Sequence, residues 1–221
     1  MRADIAAVLF DLDGTLIDSA PDLAGAANAL RQQHGLAPLP YERLRPMVGA
    51  GARGMVGLAF GVSPGELKFE PLRDAFLAQY ESALLVHTQV FATMQAVLQH
   101  LQAAGCPWGI VTNKNSRFAV PVVAGLSELA SSEVLVCGDT TPHAKPHPEP
   151  LLEAARRLDV PPEACVYVGD DLRDIQAGRA AGMRTIAAGW GYLGQGEHIE
   201  AWGADFIARQ PADLLKWLEQ A

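Results

Sequence analysis

Five short apolar runs punctuate the chain, at residues 6–10, 108–111, 134–137, 165–168 and 185–188. Each is mostly aliphatic rather than alternating, and each is bounded by Gly, Asp, Thr or Pro. Continuous apolar runs of this length suit strands covered on both faces, as in a parallel sheet. Between them, apolar residues recur at helical spacing. Residues 93–104 carry Met94, Val97, Leu98 and Leu101 before Gly105 as a stop, residues 148–158 start with Pro and repeat Leu151, Leu152, Ala155 and Leu158, and residues 172–181 end at Gly182. Strand and helix alternate, which predicts an α/β fold: a doubly wound, Rossmann-like parallel sheet with right-handed crossovers.

One section breaks the alternation. From about residue 18 to 87 there is no convincing strand. Ser19 followed by Ala20-Pro21-Asp22 reads as a helix start continued by Leu23, Ala26, Ala27 and Leu30, and residues 51–60 and 67–80 are further helical stretches. A helical block of roughly 70 residues is too long for a simple crossover in a compact sheet. The expected organisation is therefore an α/β core of residues 1–16 and 89–221 with a helical cap, 17–88, inserted after the first strand.

Composition narrows the function classes. The chain has 221 residues, 49% of them hydrophobic and 19% charged, which is ordinary for a globular protein. A formal charge of −8 with no basic cluster argues against a nucleic-acid partner. No run approaches the roughly 20 apolar residues of a membrane span. Cys106, Cys137 and Cys165 are odd in number and far apart, with no CxxC or Cys/His cluster, so neither a disulfide framework nor a zinc site is indicated. The 6–10 run is too short for a signal peptide and leads at once into acids, so a reducing cytoplasm is the expected compartment.

Chemistry concentrates at the ends of the predicted strands. Asp11-Leu12-Asp13-Gly14-Thr15 follows the first run. Carboxylates there face the crevice where α/β sheets bind ligands. One carboxylate can attack phosphorus while the other protonates the leaving oxygen and later activates water, and Gly14 permits a sharp turn. Taken alone, the segment reads equally well as a solvated acidic turn. Thr112 ends the second run and alone would be a helix cap. Lys145 precedes a Pro-started helix and alone would be a solvated lysine. Asp170-Asp171-Leu172-Arg173-Asp174 ends the fourth run, and alone would be dipole-favoured capping. Four strand ends in order thus supply a nucleophile with an acid/base, a hydroxyl, a cation and a carboxylate pair able to bind a metal.

These motifs, Asp11 through Thr15, Thr112, Lys145 and Gly169 through Asp174, resemble those of the haloacid dehalogenase-like hydrolase superfamily. The helical insertion resembles the cap of its phosphoglycolate phosphatase and β-phosphoglucomutase branch. The strings 51–56, 108–114 and 169–178 are similar to phosphatases of that branch acting on N-acetylmuramic acid 6-phosphate or labelled phosphoglycolate phosphatase. The resemblance implies an aspartyl-phosphate on Asp11, Asp13 as acid/base, and Thr112 and Lys145 on the phosphoryl oxygens. It implies Mg²⁺ held by Asp11, Asp170 and the Asp13 backbone carbonyl, with Asp174 and Asp171 in support. Many relatives have Ser where this chain has Asp171, so the division of roles between Asp170 and Asp171 stays open.

The implied substrate is a small phosphate ester, N-acetylmuramic acid 6-phosphate or 2-phosphoglycolate. Asn113 and Lys114 are expected near it. In the cap, Gly49-Ala50-Gly51-Ala52-Arg53 is a glycine-rich turn opening a helix, with Arg53 as the expected contact for a substrate carboxylate and an exposed helix Arg as the alternative. Arg117 is expected to face the cap, His87 to be structural, and the aromatic run 189–192 to line the rim or simply pack. A phosphomutase using the same Asp11 chemistry, and a non-catalytic binding protein on the same scaffold, are the competing readings. Oligomeric state is not legible.

Overall fold

The computed structural model describes residues 1–2 and 4–220. The five apolar runs form strands: β1 (Ala7–Phe10), β4 (Trp108–Val111), β5 (Val134–Val136), β6 (Cys165–Gly169) and β7 (Arg184–Ala188). A sixth strand, β8 (Phe206–Ala208), joins the edge. It is three residues of mixed exposure, too short to give a sequence signal. The order is β5-β4-β1-β6-β7-β8, and every neighbouring pair is parallel. The fold class expected from the pattern is met.

Alternation within the strands explains the double covering. Val8, Phe10, Ile110, Val166 and Val168 pack with α5 (Met94–Ala103), α6 (Ser116–Gly125) and α9 (Pro211–Glu219). Ala7, Leu9, Val111, Val136 and Tyr167 pack on the opposite side with α7 (Glu149–Leu158) and α8 (Leu172–Ala180). Two faces are buried, so both parities along each strand are apolar.

Between β1 and α5 lie α1 (Ala20–Gln33), α2 (Tyr41–Leu44), a 3₁₀ turn (Arg45–Ala50), α3 (Gly51–Phe60) and α4 (Phe69–Glu81). They share a separate apolar cluster built on Leu23, Ala27, Leu44, Met55, Phe76 and Tyr80, which Phe118 and Tyr192 enter from the sheet side. The chain enters and leaves this block through a two-residue antiparallel ribbon, β2 (Ile17–Asp18) against β3 (Gln89–Val90). The sequence gives no sign of these strands because two residues carry no period. The ribbon is pinned by Asp22, buried at the start of α1, whose carboxylate accepts from the His87 and Thr88 amides and the Thr88 hydroxyl at 2.7–3.0 Å. His87 therefore acts here through its backbone.

Candidate active site

The sheet switches direction at β1, which sends the chain outward to β4 and β5 on one side and leaves β6 to β8 on the other. Ligand crevices of α/β sheets open at such points, beyond the carboxyl ends of the strands. Asp11, Thr112 and Asp170 follow β1, β4 and β6 directly. With Asp13, Lys114, Lys145, Asp171 and Asp174 they line a cavity of about 420 Å³. Residues remote in sequence thus meet at one opening.

Lys145 is buried, and its ammonium reaches Asp11 Oδ1 at 2.8 Å, Asp174 Oδ1 at 2.7 Å, the Val111 carbonyl at 3.0 Å and the Tyr167 hydroxyl at 2.7 Å. Burial opposes its charge, but Asp11 and Asp174 outweigh that and raise its pKa. Asn113 fixes the main chain of Lys145 from both sides, its Nδ2 donating to the carbonyl and its Oδ1 accepting from the amide, each at 2.9 Å. The Asn113 side chain is spent on this positioning. Tyr167 escaped the sequence reading, although a tyrosine in an otherwise aliphatic strand was a visible signal.

Asp11 is held by its own amide, which donates to the Val168 carbonyl at 2.9 Å. Burial pushes its carboxyl up to about 6, against the pull of Lys145. Asp170 is buried more deeply. Its oxygens accept from the Thr15 hydroxyl at 2.9 Å and the Tyr192 amide at 2.8 Å. Burial, with Asp11 and Asp174 close by, pushes its pKa well above the usual carboxylate range. Two glycines make room for it. A Cβ on Gly14, whose φ of +85° already disfavours a side chain, would lie 2.2 Å from Asp170 Oδ2, and one on Gly191 would lie 2.1 Å from Asp170 Cβ.

One oxygen each from Asp11, Asp170 and Asp174 falls within 4.8 Å of the others. Lys145 pairs with two of these acids, while Asp170 has no cationic partner among the described residues. A buried carboxylate without a counter-charge, in an all-oxygen cluster, fits a hard divalent cation. Asp171 turns to another task. It caps α8, accepting from the Arg173 amide, and pairs with the Arg173 guanidinium at 2.7 Å, which lowers its pKa against the effect of burial.

Asp13 accepts from the Ser19 hydroxyl and from the Lys114 ammonium at 3.0 and 3.1 Å. That ammonium also lies 4.8 Å from the centre of the Tyr80 ring of α4. Burial disfavours the Lys114 charge, but Asp13 more than offsets this. The Thr112 hydroxyl accepts from the Lys114 amide at 3.1 Å, leaving its own proton free to donate.

The helical block closes the cavity with Leu23, Val48, Phe76, Leu77 and Tyr80, while Phe118 of α6 adds to the same apolar wall. Arg53 also lines it and makes no hydrogen bond or ion pair among the described residues. The two layers are tied together at the rim. Arg173 donates to the Gly49 carbonyl, Arg45 donates to the Gly191 and Trp190 carbonyls, and Arg117 pairs with Glu81. Of the 189–192 run, Tyr192 packs rather than lining the cavity; its hydroxyl donates to Asp18 and accepts from the Ser19 and Ala20 amides.

A parallel α/β sheet with an acid-lined crevice under a helical roof defines the class, a hydrolase-type site at the strand ends. A sequence model described as haloacid dehalogenase-like hydrolase matches residues 5–182, and the chain belongs to that family. The chain is 43% identical over 220 residues to the N-acetylmuramic acid 6-phosphate phosphatase of Pseudomonas aeruginosa, covering 100% of this chain and 97% of that one. It is 46% identical over 209 residues to a phosphoglycolate phosphatase of Xanthomonas campestris pv. campestris, covering 94% of each. A crystal structure described as a predicted phosphoglycolate phosphatase from Haemophilus somnus superposes with a TM-score of 0.86 at 25% identity, over 99% of this chain and 100% of that one. The expected class, a phosphatase of this family, is met. No helix among the described residues is long and apolar enough to cross a membrane.

Proposed function

We propose that the protein is a Mg²⁺-dependent phosphomonoesterase that passes the phosphoryl group of a small metabolite through the Asp11 carboxylate. One arrangement carries this: Asp11 opens into the cavity with Lys145 on one oxygen and Asp170 and Asp174 in the same cluster. In this reading an Asp11 oxygen attacks phosphorus as the ester P–O bond breaks, and Asp13 gives its proton to the departing alkoxide. Asp13 then takes a proton from the water that attacks the phosphorus of the acyl phosphate, which frees Asp11 and inorganic phosphate. The Thr112 hydroxyl and the Lys145 ammonium would hold the non-bridging oxygens. Asp11, Asp170 and the Asp13 carbonyl would hold Mg²⁺, which when bound offsets the repulsion between an anionic ester and these acids. Asp174 would keep Lys145 aimed, and Asp171 would hold the start of α8 in place.

Residues 17–88 would act as a cap that selects the leaving group, with Arg53 as the contact for a substrate carboxylate. Both esters named by the relatives, N-acetylmuramic acid 6-phosphate and phosphoglycolate, carry one. The test is incubation with a generic aryl phosphate, with Mg²⁺ and with a chelator, alongside mass analysis of acid-quenched enzyme. Phosphate release that needs the metal, together with a phosphoryl adduct on Asp11, is expected. Release undiminished by the chelator, or, with a phosphorylated hexose in place of the aryl ester, isomer formation without free phosphate, would overturn the reading.

A further inference from the structure

The cavity is divided by chemistry. Its floor is charged or polar, while its roof gathers Leu23, Val48, Phe76, Leu77 and Phe118. A two-carbon ester such as phosphoglycolate has about nine non-hydrogen atoms, and phosphate accounts for more than half of them. The floor would take that phosphate, leaving one methylene and a carboxylate. Yet the cavity measures about 420 Å³, the liquid volume of about 14 waters at about 30 Å³ each, and lies within the range of sites that enclose drug-sized ligands. A two-carbon leaving group would leave the roof wet and uncovered.

From this mismatch we infer that the site selects the phosphate ester of a bulky alcohol with an apolar face, of the size of a substituted hexose acid, and discriminates against two-carbon esters. The inference rests on the phosphatase reading above and deepens it. Apolar surface gains only when apolar surface covers it, so the apolar wall rewards ring or acyl substituents on the leaving group, while a carboxylate finds a partner only at Arg53. Arg53 lines both this cavity and an adjoining hollow of about 390 Å³ beside Leu193 and Trp202. An anionic group bound there lies toward the outer end of the larger substrate. Of the two esters the relatives name, N-acetylmuramic acid 6-phosphate matches, its acetamido and lactyl methyls supplying the apolar face.

The experiment compares kcat/KM for methyl phosphate and cyclohexylmethyl phosphate, whose leaving alcohols are of like acidity and carry no charge for Arg53. The same comparison is made for phosphoglycolate against N-acetylmuramic acid 6-phosphate. The larger member of each pair is expected to lead by at least about tenfold. Leu77 is only half-buried, so Leu77→Ser is expected to keep the fold by circular dichroism while the cyclohexylmethyl-to-methyl ratio falls by about tenfold. A wild-type ratio near one or below, with phosphate still released, overturns the inference and leaves the phosphatase reading standing. A ratio indifferent to Leu77→Ser also overturns it. Release from no ester removes both.

Discussion

The floor and the roof of the cavity are built on opposite terms. Floor groups arrive already engaged: Lys145 has four oxygen neighbours, Asp170 two donors, and Asp13 a hydroxyl and an ammonium. The roof is apolar apart from a few groups, and Arg53 reaches it without a partner among the described residues. Reaction geometry must be set before substrate arrives, so the protein fixes it and accepts the cost of crowding buried acids. Substrate choice works the other way, because a group left unsatisfied gains most from the ligand that completes it.

The largest effect expected from breaking the floor is that of Asp11→Asn. The substitution keeps shape and most hydrogen bonds but removes the attacking charge. Phosphate release is expected to fall by about 10⁴-fold or more with circular dichroism unchanged. Substantial residual turnover would tell against covalent catalysis through Asp11.

Next is Asp170→Asn, which separates function from stability. Asparagine can still accept from the Tyr192 amide and donate to the Thr15 hydroxyl, so both contacts survive. Stimulation by Mg²⁺ is expected to disappear while the chelated protein becomes harder to unfold. The pH sign follows from the raised pKa values. Asp11, at about 6 against 3.8 unfolded, binds its proton more tightly when folded. It therefore contributes nothing below 3.8, and its ionisation costs stability increasingly up to about pH 6, on the order of 3 kcal/mol. Denaturation of the metal-free protein between pH 4 and 7 should show this fall, and both Asn variants should flatten it.

The floor was also the more legible region. Asp11, Thr112 and Asp170 could be placed together because each directly follows an apolar run, with Asp13 two residues on and Lys145 in the loop ahead of the next helix, and strand ends of a parallel sheet share one edge. The partners are marked far more weakly. Tyr167 shows only as a polar group in an aliphatic strand, Thr15 reads as part of an acidic turn and Ser19 as a helix start, and Asn113 turns out to brace Lys145 through contacts that sequence distance hides. Helices of the roof were visible by period. Its apolar wall was not, because Phe76 and Leu77 on α4 look like any helix core until Phe118 from α6 comes to face them.

Between floor and roof, the ribbon carries the next prediction. Asp22→Asn would turn an amide donor toward donors on His87 and Thr88. A buried donor left facing donors costs about 1–3 kcal/mol, measurable by urea unfolding. An unchanged midpoint would mean the ribbon needs no such clasp.

The smallest effect tests whether the roof's free cation chooses among acids. Arg53 is exposed and without a partner among the described residues, so Arg53→Gln should leave stability within about 0.5 kcal/mol of wild type. If it meets the substrate carboxylate at the solvent-facing rim, KM for a carboxylate-bearing ester should rise about tenfold with little change in kcat, since contact remote from phosphorus contributes alike to ground and transition states. For cyclohexylmethyl phosphate, which has no carboxylate, KM should move much less. Equal losses on both would instead place the guanidinium on the phosphoryl group, and the division between a floor that reacts and a roof that selects would fail at that residue.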